Sequence, residues 1–160
     1  MSDAVFPSAV IDTLTLLMEP AQVVELRALD VSTPDYRRPH TVSGYFDDMA
    51  KLADAALKLR QAKGLYVTLN PVNPALLARA ANRVRDVREE ESTPDTYVLR
   101  RRWLPIDCDP VRPSGIAATG DEHQAGLSRA REISATLRAV GWPDPIDGDG
   151  GNSGHLLYLT

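Results

Sequence analysis

Apolar residues recur at helical spacing in two long stretches of this chain and cluster in short β-rich runs elsewhere. From Asp47 the positions Met49, Leu52, Ala53, Ala56 and Leu57 fall three and four apart, which predicts an amphipathic helix ended by Gly64. A second apolar line, Ala130, Ile133, Leu137 and Val140, stops at Gly141 and Pro143. Thr119, with Glu122 three residues later, marks the start of that helix, because the hydroxyl and the carboxylate can each accept the other residue's backbone N–H. Val10 to Met18 is mostly apolar and ends before Pro20, which predicts a short N-terminal helix. Asn73 followed by Pro74 predicts another helix, running to about Asp86, since proline lacks only an N–H that the first turn does not use. Gln22–Leu29, Leu65–Leu69 and Tyr97–Ile106 read as strands. Ser32–Ser43, with Pro34, Pro39 and two arginines, reads as a loop, and Arg88–Pro94 as a solvated connection. The alternation of strands and helices predicts an α/β (α+β) fold with helices packed on a sheet. There is no internal repeat and no long low-complexity tract.

Composition narrows the classes. The chain has 160 residues, enough for one domain with a sizeable core, and its 43% hydrophobic and 25% charged content is that of a globular protein. A net charge of −4 argues against a nonspecific nucleic-acid coat protein, though a local basic groove depends on distribution rather than total. Cys108 is the single cysteine, so no internal disulfide is available and a reducing compartment fits. No apolar run approaches the roughly 20 residues of a membrane span. The N-terminus lacks the basic-then-apolar order of a secretory signal, so the expected location is cytoplasmic.

The chemistry concentrates in Trp103-Leu104-Pro105-Ile106-Asp107-Cys108-Asp109-Pro110 and in Gly151-Asn152-Ser153-Gly154-His155-Leu156-Leu157-Tyr158. On an extended strand Asp107 and Asp109 share a face, with α-carbons roughly 7 Å apart, and Cys108 takes the other. That spacing suits one divalent ion, or two about 3.5–4 Å apart, held with help from substrate phosphates. The plain alternative is a polar strand end turning at Pro110. His155 opens an apolar strand after a glycine-rich approach, Gly148–Gly154, so either its imidazole faces a phosphate or it is a strand histidine satisfied by a neighbour. The same loop as a calcium site fails on spacing, because its sixth position is Asn152 and its twelfth is Tyr158. Arg100 and Arg102 would share one face of a basic strand segment, either a solvated edge or a contact to template or triphosphate. Arg112 lies three residues past Asp109 and within reach of the same phosphates. Arg79, Arg83 and Arg88 read equally well as a solvated helix face. His40 and His123 look incidental, and Cys108 reads as a core residue.

In these segments the chain resembles the N-terminal catalytic region of archaeo-eukaryotic-type primases (primase-polymerases) of phages, plasmids and other mobile elements. Asp107-Cys108-Asp109 matches that family's Asp-x-Asp motif and Ser153-Gly154-His155 its small-x-His motif. Val24–Ala28, Tyr66–Pro71 and Leu76–Arg83 are similar to its N-terminal module. The resemblance implies a helical extension over residues 1–21, a small α/β module over 22–95, and an RRM-like catalytic half over 96–160. It implies nucleotidyl transfer on a single-stranded DNA template during replication of a mobile element. Asp107 and Asp109 would hold Mg²⁺ or Mn²⁺, Ser153 and His155 the nucleoside triphosphate, and Arg112 its phosphates. Arg100 and Arg102 would meet nucleic acid, and a helicase domain or protein is an expected partner. The family's third motif, an Asp on a later strand, has no counterpart, since no acidic residue follows His155. The expectation is therefore an incomplete catalytic domain, weak or inactive alone, with a sheet edge left unpaired after the small-x-His strand. Two competing readings remain: a noncatalytic nucleotide- or DNA-binding remnant of a truncated or split primase, and an unrelated metal-dependent phosphohydrolase using Asp-x-Asp.

Overall fold

The structure, a computed structural model, describes residues 5–32, 39–59, 61–88, 91, 93–113 and 115–160. The chain divides into two compact units, Met1–Arg100 and Arg101–Thr160. The fold is mixed α+β, and each unit has its own antiparallel sheet instead of sharing one. No helix of the described residues is long and apolar enough to cross a membrane.

The first unit contains α1 (Val5–Leu17), β1 (Val24–Val31), β2 (His40–Phe46), α2 (Met49–Lys58), β3 (Gly64–Val67) and β4 (Arg85–Val87). The strand order is β3-β1-β2-β4. Alternation along β1 and β2 sends Val24, Leu26 and Phe46 to a core shared with Leu14, Met18, Leu52 and Ala53. Tyr45 and Val23 face the other way and pack with Val72 and Leu76. Glu25 also lies on that second face and is buried. Its carboxylate accepts from the Ser43 hydroxyl, from Arg27 Nε at 3.2 Å and from the Thr93 N–H at 3.2 Å, which offsets the cost of removing a charge from water.

Several expected elements shift here, each for a local reason. The N-terminal helix begins at Val5, earlier than expected, and the first strand spans Val24–Val31 rather than Gln22–Leu29. The segment expected to be a loop from Ser32 to Ser43 is a strand from His40 onward, paired with β1; residues 33–38 lie outside the described residues. The second helix ends at Lys58, so Gly64 opens β3 instead of closing the helix. Asn73 does cap, accepting the Ala75 N–H at 2.9 Å, but the turn it starts is a 3₁₀ helix over Pro74–Arg79. It stops because Tyr45 captures the backbone beyond it: Tyr45 N–H donates to Ala80 O at 3.1 Å and Asn82 N–H to Tyr45 O at 2.7 Å. Asn82 then takes a left-handed φ of 50°, which asparagine tolerates, and the chain enters β4.

The second unit runs β5 (Trp103–Cys108), α3 (Gly120–Ala139), β6 (Ile146–Asp149) and β7 (Gly154–Leu159). The long strand expected from Tyr97 starts only at Trp103. Asp95–Tyr97 is a 3₁₀ turn of the first unit, and Val98 pairs with Val72 as an isolated bridge. The order is β5-β7-β6, with β7 antiparallel to both neighbours. β5 and β6 are therefore parallel to each other and joined through α3, with β7 inserted between them, a split β-α-β unit. The strand carrying His155 is thus the middle of this sheet, with β5 and β6 on its two sides.

Thr119 and Glu122 cap α3 reciprocally: Thr119 N–H donates to Glu122 at 2.8 Å and Glu122 N–H to the Thr119 hydroxyl at 3.3 Å. Cys108, Leu156 and Tyr158 meet Ala130 of α3 in one core, with Leu104 and Ile106 packed against it. Burying one such leucine contributes about 1.5–3 kcal/mol, and a one-residue slip would reverse every side chain. Core packing thereby fixes which β5 and β7 residues face away from α3: Pro105, Asp107, His155 and Leu157.

Candidate functional site

Asp107 and His155 are direct cross-strand partners. The type of pairing follows from the end of the ladder. Thr160 N–H donates to Arg102 O at 2.9 Å, which makes that opposed pair a hydrogen-bonded one. Alternation then makes Trp103–Leu159, Pro105–Leu157 and Asp107–His155 non-hydrogen-bonded pairs, the kind whose side chains stand closest. Pro105 fits this register because its missing N–H falls on the outer edge of β5, where it also blunts that edge against pairing. The result at Asp107 is direct contact: its Oδ1 lies 3.3 Å from His155 Nδ1.

The other ring nitrogen is held as well. Ser153, buried beside it, places Oγ 3.1 Å from His155 Nε2. Asp107, His155 and Ser153 thus form one line of polar contacts, its carboxylate end 58% exposed and its imidazole 41%. Gly150 lies over the His155–Ser153 end: a Cβ there would sit 2.6 Å from Nε2 and 3.3 Å from Ser153 Oγ. The atoms such a Cβ would meet are side-chain tips, so the loop backbone at Gly150 stands over the serine–histidine contact.

Asp109 follows the end of β5 and is exposed, as is Asp107, while Cys108 between them is buried. The alternation puts both carboxylates on one side of the backbone. Their contacts differ, since Asp109 accepts from Arg112 Nη2 at 3.0 Å. Arg112 Nη1 donates onward to Ile116 O at 2.5 Å, which fixes the guanidinium beside the acidic pair. Cys108 is buried in the core, and burial, reinforced by the neighbouring Asp107 charge, pushes its thiol up.

Arg100 and Arg102 do not lie on one strand, contrary to expectation, because β5 begins only at Trp103. Arg100 belongs to the first unit, where it donates to Glu19 at 2.5 Å. Arg102 belongs to the second, with its guanidinium 5.0 Å from the centre of the Trp103 ring.

His123, expected to be incidental, contacts the glycine-rich loop. Its Nε2 lies 2.7 Å from Asp149 Oδ1, and the same oxygen accepts the Gly151 N–H at 2.8 Å. Gly151 carries a φ of +75°, which turns the chain between β6 and β7. Asn152 Oδ1 accepts the Ala118 N–H at 2.8 Å, and Gly150 N–H donates to Ser153 O at 3.0 Å. No sequence signal marked the partner of His123, although Asp149 ends β6 just before a glycine turn, where a carboxylate commonly accepts a nearby N–H.

The Gly151 N–H, then the His123 contact, hold Asp149 below the usual carboxylate range. The Thr119 N–H does the same for Glu122. A depressed carboxylate stabilises the fold above its unfolded pKa, and the effect is lost as pH falls through the lower folded value. The loop is therefore expected to stay ordered at neutral pH and to loosen below about pH 4. The Gly151 amide resonance followed through an acid titration checks this; a resonance indifferent to pH down to global unfolding contradicts it.

Among the described residues, no group of three or more His, Cys, Asp or Glu side chains is placed to hold a metal ion. Asp107 and Asp109 are hard oxygen donors suited to Mg²⁺ or Mn²⁺, which take one or two protein carboxylates and complete their shell with water and substrate phosphate. Two carboxylates alone form no closed protein cage, and each already has a basic neighbour, His155 for Asp107 and Arg112 for Asp109. A cavity of about 270 Å³ lies between α3 and β6, lined by Leu127, Arg131, Asp147, Asp149 and His155. His155 thus borders both this cavity and the acidic pair, while Asp107 and Ser153 do not line the cavity. Comparison with protein-family models, curated proteins and solved structures finds no match for this chain.

Proposed function

We propose that the second unit carries the nucleotide site of a primase-polymerase, joining nucleotides on a single-stranded DNA template. The observation that carries this reading is the opposition of Asp107 and His155 on neighbouring strands, at the end where Asp109, Arg112 and the glycine-rich loop also gather. One nucleoside triphosphate can then touch the carboxylates through an ion and the imidazole directly. The β5-α3-β6-β7 arrangement, with β7 between parallel neighbours, is also how an RRM-like half begins.

In this reading Asp107 and Asp109 hold Mg²⁺ or Mn²⁺, which when bound neutralises phosphate charge and favours the attacking 3′-oxygen. His155 and Ser153 give up their mutual contact and both donate to triphosphate oxygens. Arg112 adds a cation on the Asp109 side. Catalysis then rests on placement and charge neutralisation, with no covalent step on the protein. Template contacts by Arg102, replication of a mobile element, a helicase partner and a cytoplasmic location belong to the same proposal.

The test is primer synthesis on single-stranded DNA with Mn²⁺ and all nucleotides, by the full-length protein. His155→Ala is expected to weaken nucleoside triphosphate binding about tenfold while leaving DNA affinity within twofold, the loss of one charge-assisted hydrogen bond. Equal losses for both ligands would count against a phosphate-facing His155. The ion pairs that already engage both carboxylates, Asp107 with His155 and Asp109 with Arg112, favour one second reading, a module that binds nucleotide or DNA without turnover. Nucleotide binding without strand extension by the full-length protein would select it, and release of free phosphate would select a phosphohydrolase.

A further inference from the structure

We propose that His123 and Asp149 act as positioning residues that hold the loop between β6 and β7 so that Ser153 and His155 meet the triphosphate together, an inference that rests on the nucleotide reading of this site. The geometry is a short relay. His123, in the first turn of α3, reaches Asp149 at the end of β6 with a 2.7 Å contact. Asp149 uses the same oxygen to hold the Gly151 N–H at 2.8 Å. Gly151 adjoins Gly150, whose backbone covers His155 Nε2 and is tied to Ser153 by the 3.0 Å bond from its N–H. Asn152 fastens the far side of the loop to Ala118.

The loop is thus anchored at both sides to the α3 end of the unit, which the capping box of Thr119 and Glu122 makes rigid. Asp149 pairs across the ladder with Gly154, so its side chain stands on the α3 face while His155 stands on the opposite face. His123 therefore acts on the site through the loop and not by touching a ligand. A ligand that needs both Ser153 and His155 binds less well when the loop between them samples other positions, since ordering it is then part of the binding cost.

The test uses the full-length protein with ATP and Mn²⁺ as probe, and reads two quantities: exchange of the Gly151 amide with solvent, and the Kd for ATP. His123→Ala and Asp149→Ala are each expected to raise Gly151 exchange and the ATP Kd by about tenfold, roughly one charged-group hydrogen bond. His123→Gln, which can still donate to Asp149, is expected to restore both to within about twofold, a rescue that general destabilisation would not give. Unchanged Gly151 exchange in His123→Ala overturns the latch. Faster exchange with an unaltered ATP Kd overturns its role in binding. If the unaltered protein binds no ATP at all, the nucleotide reading itself fails, and the positioning role fails with it.

Discussion

Asp107→Asn is expected to lower Mn²⁺-dependent nucleotide incorporation by at least about a hundredfold, the scale on which losing one preorganised electrostatic contact acts. The substitution separates charge from shape. Asparagine has nearly the same volume and can keep its place beside His155 Nδ1, which lies 3.3 Å from the carboxylate in the unaltered chain. The position is 58% exposed and outside the core, so stability should change by no more than about 0.5 kcal/mol. What disappears is the negative charge that would hold the ion. Asp109→Asn should cost less ground-state geometry at His155 but should free Arg112, whose Nη2 then loses its carboxylate partner. Incorporation is measured by primer extension on single-stranded DNA, with thermal unfolding as the control for folding. Undiminished synthesis by Asp107→Asn would remove the metal role from this residue and with it the centre of the primase reading.

The local features of the site were legible because they depend on short spacings. Asp107, Cys108 and Asp109 alternate as an extended strand requires, and Thr119 with Glu122 forms the capping box that three-residue spacing announces. The apolar line of α3 fixes which face of the sheet it covers. Periodicity says nothing, however, about which strand lies beside which. Asp107 and His155 are 48 positions apart, and their register comes from burying Leu156 and Tyr158 under α3. β2 was hidden because prolines and arginines precede it, and its pairing with β1 overrides that composition. The helix after Asn73 was cut short by backbone bonds from Tyr45, a partner nearly thirty residues earlier. His123 looked incidental because its role depends on Asp149, 26 residues away.

Gly44→Ala is expected to destabilise the first unit by more than about 3 kcal/mol, at or beyond the upper end of ordinary overpacking costs. Gly44 sits in the middle of β2 opposite Leu26, with the chain just before β4 crossing over it. A Cβ at this position would lie 1.9 Å from Arg83 O and 2.7 Å from Arg83 C. Both atoms are backbone, so the strain cannot be relieved by a rotamer change. Relief means moving β4 away from β2, which breaks the pairing of Ser43 with Arg85 and Val42 with Asp86. A control lies in the same sheet. Gly64, in β3, is also crowded, but the atoms near its hypothetical Cβ belong to the Tyr66 ring, 58% exposed and free to swing outward. Gly64→Ala should therefore cost less than about 1 kcal/mol, since only a side chain must give way. For a unit of this size the difference predicts a melting temperature at least about 10 °C lower for Gly44→Ala than for Gly64→Ala. Thermal unfolding followed by circular dichroism compares the two directly. Similar melting temperatures would mean that the segment before β4 does not cross β2 at Gly44, and the four-stranded order β3-β1-β2-β4 would have to be redrawn.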